Sequence, residues 1–127
     1  MPSAVLSRFF RLEEFSTHAG VLPPELARPA IQRLVTEVLD PMRRHFGRCR
    51  VISGYRTPEH NLAVGGAPNS HHLYDVWHDS PAADVWFESG HPSAWSDFAH
   101  DLSVQGIGVY LGHVHVDQRL EPARWRG

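Results

Sequence analysis

The stretch NSHHLYDVWHDSPAADVW, residues 69–86, holds three of the ten histidines of the 127-residue chain, together with Asp75, Asp79 and Asp84. A second concentration, HVHVD, occupies residues 113–117. Imidazoles and carboxylates at this density either donate nitrogen and oxygen to a metal or line a solvated surface. Parity shows which side chains act together. In HVHVD, His113, His115 and Asp117 project to one face of a strand, while Val114 and Val116 project to the other. Such a face is either the wall of a site or an ordinary outer surface. In AADVWFE (residues 82–88), Asp84 and Trp86 share one face and Ala83, Val85 and Phe87 the other. A buried Asp84 needs a partner, and a metal is one; a cap just outside the strand is the plain alternative. With Cys49 as the single cysteine, zinc donors must be histidine and carboxylate. A histidine from residues 69–80, Asp84 and a histidine of the last strand make three ligands, leaving one position for water.

These side chains need elements to hold them. Ile31, Leu34, Val35, Val38, Leu39, Met42 and Phe46 recur at helical spacing and predict one helix, bent near Pro41, ended by Gly47 and packed on a sheet. CRVISGY (residues 49–55) is β-branched and predicts a strand. TPEHNLAV (residues 57–64) predicts a short helix with Thr57 as cap and Pro58 at its first position. GGAPNS (residues 65–70) is a loop by composition. After the strand at residues 82–88, PSAWSDFAHDLSV (residues 92–104) puts Trp95, Phe98, Ala99 and Leu102 on one helical face. IGVYL and HVHVDQ predict two strands joined at Gly112. Strands gather late in this order, which predicts α+β: an antiparallel sheet with helices packed mainly on one face.

Bulk composition narrows the function classes. Residues 1–127 have the length of one domain. A net charge of −2 with 20% charged residues provides no basic footprint for nucleic acid. MRRHFGRCR (residues 42–50) falls at a helix end, where cations are expected. No apolar run reaches the length of a membrane span, and MPSAVLSRFF has no signal-peptide pattern. Cys49 excludes an internal disulfide and reads as a packed thiol, not a nucleophile.

SGYRTPEHN (residues 53–61), GGAPNSHH (65–72), AADV (82–85), GIGVY (106–110) and HVHVD (113–117) stand in an order that resembles the zinc D-alanyl-D-alanine carboxypeptidase family, whose fold is shared with hedgehog signalling domains. With the LPPELARPAIQRLVTEVLDPMRRHFG segment, the resemblance covers nearly the whole chain. It implies a zinc peptidase cleaving a D-alanine-containing bond in bacterial peptidoglycan stem peptides. It also implies His72, Asp84 and His115 as zinc ligands. His71 falls at the family's variable position and Asp75 at its glycine. Asp79 stands at the usual spacing, seven residues after His72, and Asp84 twelve after. The small-small-Asp-apolar context before a strand selects Asp84, with residues 75–81 as a loop insertion carrying an exposed His78.

The same resemblance assigns His113 to proton transfer or oxyanion stabilisation. Arg56 would hold substrate carboxylate or developing charge, and Ser70 would orient substrate or loop. Asp117 would either orient a ligand histidine from behind or simply be solvated; Glu59 and His60 are read as helix surface. A monomer, cytoplasmic at synthesis and acting on the wall after release or within a phage particle, is the expected setting. The rival reading is a zinc-stabilised binding or virion structural domain of the same fold, with residues 75–81 and Trp77 as a contact surface. A non-metal hydrolase lacks any serine or cysteine in a nucleophile's context.

Overall fold

The apolar alternation becomes a five-stranded sheet. In the computed structural model, which describes residues 4–127, β1 (Cys49–Ser53), β2 (Ala83–Phe87), β3 (Gly106–Val109), β4 (Val114–Asp117) and β5 (Ala123–Arg126) lie in the order β1-β2-β4-β3-β5. The first three residues of the stretch read for a signal peptide lie outside the described residues.

β1–β2, β2–β4 and β3–β4 are antiparallel, but β3–β5 is parallel. The sheet is therefore mixed, which corrects the expectation of an antiparallel one. The cause is β5, which the sequence reading missed because ARWR is only four residues long and half of it is arginine. The chain reverses once after β4, so it arrives beside β3 running in the direction of β3. Backbone bonds from Ala123 to Gln105 O and from Gly127 to Val109 O, both 2.9 Å, fasten it there.

The predicted helix appears as α1 (Arg28–Leu34) and α2 (Asp40–Phe46), joined without a break by a π turn at Val35–Leu39. Pro41 explains the turn. It offers no N–H to the carbonyl of Glu37, and the widened turn instead closes from Asp40 N to Val35 O. All seven predicted apolar positions, from Ile31 to Phe46, are buried. Gly47, at φ 84°, ends the helix.

α3 (Pro58–Ala63) starts at Thr57, whose Oγ1 accepts from His60 N at 3.2 Å. α4 (Pro92–Asp101) stops three residues short of Val104, where Ser103 adopts φ 64°. Helical side chains pack with Val85, Phe87, Ile107, Val114 and Val116 into one apolar cluster. Each such large side chain contributes about 1.5–3 kcal/mol on burial. That cluster fixes the parity of β2, β3 and β4, and so commits Asp84, His115 and Asp117 to the opposite face.

No helix among the described residues is long and apolar enough to cross a membrane.

Candidate metal centre

Strand order creates the site. β2 and β4 are far apart in sequence but adjacent in the sheet, and Asp84 lies directly opposite His115. In β1 the register slips between Val51 and Ser53, so Ser53 also comes to face Asp84. A bulge of this kind turns a side chain toward a site.

His72 arrives on a loop that is tied down by its backbone. His72 O accepts from Arg56 N at 2.9 Å, and His72 N donates to Ser70 Oγ at 3.1 Å. The ring then donates from Nδ1 to Gly54 O at 2.8 Å. Gly54 has to be glycine because the Phe15 backbone crosses it closely: a Cβ there would lie 2.8 Å from Phe15 O.

With Nδ1 committed, His72 Nε2 faces Asp84 Oδ1 at 3.1 Å, and His115 Nδ1 faces the same oxygen at 3.3 Å. His115 Nε2 donates in turn to Asp117 Oδ2 at 2.6 Å. Asp117 is fully buried, and Arg119 holds it through two bonds of 2.7 Å.

One ligand atom each from His72, Asp84 and His115 lies within 4.8 Å of the others, and all three residues are buried. Each imidazole has its far nitrogen bound to an oxygen, so its near nitrogen is oriented as a donor. Two nitrogens and a carboxylate, with no sulfur, suit zinc. The residues fit a divalent cation.

The charges agree. Burial alone would raise the Asp84 carboxyl, but the neighbouring His72 and His115 overrule it and hold it well below the usual range. Burial would likewise lower His115, yet its bonds to Asp117 and Asp84 raise it. Asp117 is held low against burial by Arg119 and His115. Where three acceptors meet, positive charge is favoured.

The cluster forms the floor of a cleft of about 590 Å³. Arg56 and His113 both line it beside the other oxygen of Asp84: Arg56 Nη2 is 3.5 Å and His113 Nε2 3.7 Å from Oδ2. Burial lowers His113, and the attraction of Asp84 only partly offsets it. Arg56 is further held by Ser53 Oγ at 3.1 Å and Asn61 Oδ1 at 3.4 Å. Buried Asn61 also donates to Ala67 O at 2.9 Å, fixing the loop that carries Ser70. Ser70 lines the cleft while its hydroxyl accepts from His72 N.

The structure does not bring every candidate together. Asp79 has a side chain 92% exposed, paired with His78 at 3.0 Å, and lies outside the cluster. Buried His71 is turned away, with Nδ1 on Ser80 O at 2.9 Å and its ring stacked on Trp77 at 4.2 Å. Residues 75–81 thus fold back as turns over His71, with Trp77 stacked inward. Cys49 is half-buried, and burial pushes its thiol up, away from nucleophilic use.

Sequence reasoning missed Tyr110, Arg119 and Trp125, all of which line the cleft. A signal was available in GIGV. Gly106 and Gly108 share one strand face, and a Cβ at either would collide with a neighbour, Asp117 or the Trp125 indole respectively. Alternate glycines in a strand mark a face that something bulky must cross.

The Peptidase M15 family profile matches residues 9–117, a stretch that contains the helices, β1 to β4 and all three cluster residues. No curated protein matches the chain. Peptidases of this kind depend on zinc, which agrees with a buried two-histidine, one-aspartate cluster at the floor of a cleft, and on that match the chain belongs to the Peptidase M15 family of metallopeptidases.

Proposed function

We propose that the chain is a zinc-dependent peptidase that hydrolyses a D-alanine-containing bond in bacterial peptidoglycan peptides, with His72, Asp84 and His115 holding the metal. The observation that carries this reading is the pair formed by Arg56 and His113 on the open side of Asp84, 3.5 and 3.7 Å from Oδ2. A metal kept only for stability needs neither residue.

Bound zinc supplies Lewis acidity, activating water at neutral pH and polarising a carbonyl. Arg56 offers its guanidinium to the substrate carboxylate or to the oxygen on which negative charge develops. Its anchors on Ser53 and Asn61 fix it before substrate arrives, so little ordering is left for the reaction. Water adds to the scissile carbonyl carbon, the C–N bond breaks, and the amine leaves with a proton. His113 Nε2 moves that proton. Ser70 holds the loop at the cleft wall through His72 N.

The test is mass spectrometry of purified peptidoglycan fragments incubated with zinc-loaded protein, beside His113→Ala. The wild type should release new fragments whose masses identify the bond and separate carboxypeptidase from endopeptidase action. His113→Ala should keep its zinc and lose about 10²–10⁴-fold in rate. Intact linear and cross-linked peptides after incubation with zinc-replete wild type would sink the reading in favour of a zinc-stabilised binding domain.

A further inference from the structure

We propose that β5 belongs to the working site: Trp125, through a hydrogen bond to Tyr110, is a positioning residue that fixes the imidazole of His113. The proposal rests on the peptidase reading for its catalytic meaning and on geometry for its substance.

His113 precedes β4, so no ladder bond of that strand orients it, and its side chain is 25% exposed. Beyond the 3.7 Å approach of its Nε2 to Asp84 Oδ2, the ring is restrained by Tyr110, stacked at 4.4 Å with the two planes 10° apart. Tyr110 N also donates to His113 O at 3.0 Å, closing the turn between them. A stack alone leaves a ring free to slide. The Tyr110 hydroxyl removes that freedom by accepting from Trp125 Nε1 at 2.8 Å.

Trp125 can serve as the anchor because it is itself held. The β3–β5 ladder sets it opposite Gly108, and the missing Cβ there leaves the space its indole fills. Its ring reaches His115 edge-on at 4.7 Å, and the Arg119 guanidinium lies 5.2 Å from its centroid. Arg119 grips Asp117, which holds His115. One side chain of β5 therefore touches both a metal-cluster histidine and the support of His113. The family match ends at residue 117, so β5 lies beyond the matched stretch.

Trp125→Phe keeps a ring over Gly108 and removes the donor; Tyr110→Phe keeps the stack on His113 and removes the acceptor. Each should lower kcat by about 10- to 100-fold, the scale of a misplacement of about 1 Å, with KM and zinc content unchanged. Because both delete one bond, the double variant should be no slower than the slower single one. Histidine-selective NMR gives a readout independent of turnover. The His113 ring protons, shifted upfield by the Tyr110 ring in the wild type, should move toward ordinary positions in both single variants. Multiplicative losses, a change confined to KM, or unmoved His113 resonances would each overturn the positioning role. A zinc-replete wild type that cleaves nothing would overturn the peptidase reading instead, and the resonances would still decide whether Trp125 fixes His113.

Discussion

Asp84 concentrates the chemistry of the site in one residue. Its Oδ1 faces His72 and His115, its Oδ2 faces Arg56 and His113, and the residue is buried. A carboxylate so surrounded stays ionised against the cost of burial. Removing it therefore takes away the one carboxylate that faces the Arg56 guanidinium and the three imidazoles, and with it the proposed ligand. Asp84→Ala should purify with essentially no zinc by elemental mass spectrometry, as should His72→Ala and His115→Ala. Asp79→Ala should keep close to one equivalent. Zinc retained in Asp84→Ala and lost in Asp79→Ala would reverse the assignment across residues 75–81. At this scale the sequence was legible through parity: alternation put Asp84 apart from Val85, and His113, His115 and Asp117 apart from the valines. Parity could not name what holds each ring. The partner of His72 is a backbone carbonyl, Gly54 O, and a carbonyl has no residue type to read.

At the scale of elements, the cross-strand row Asp84, His115, Gly108 and Trp125 ties together β2, β4, β3 and β5. Gly108 is the thin point of that row. Gly108→Ala would drive a methyl group into the Trp125 indole, an overpacking that costs about 1–3 kcal/mol. An unfolding free energy from urea titration lowered by that amount, with the midpoint reverting toward wild type in Gly108→Ala/Trp125→Ala, is the expected outcome. An unchanged midpoint in the single variant would mean that the indole does not occupy this space. The helices were legible from periodicity because their apolar stripe meets a sheet; near Pro41, where a bend was expected, the structure has a π turn at Val35–Leu39. β5 was not, because an alternation of four residues with two arginines is too short to stand out, and its pairing comes from the open edge of β3.

For the molecule as a whole, the proposed metal site and the fold are linked. His72 sits on a loop, Asp84 on β2 and His115 on β4, so only the assembled sheet presents the three donors together. A ligand that binds only the folded chain stabilises it, by about 2.7 kcal/mol at a hundred times its dissociation constant. Zinc should thus raise the thermal midpoint by several degrees over chelator-treated protein, and in Asp84→Ala the shift should vanish. A zinc shift of wild-type size in that variant would place the binding elsewhere.

The sequence by itself determined the parts: donor types without sulfur, the face on which each lies, the main helices, and the resemblance that orders five motifs along the chain. These follow from local rules of period, capping and residue chemistry. Only the tertiary structure decided their assembly. It set β2 beside β4, left Asp79 in solvent, and turned the sheet mixed by adding β5. It also brought Trp125 and Arg119 behind His115. The physical reason is that strand order and edge pairing depend on which apolar faces bury together, a property of contacts between distant residues that no local pattern encodes.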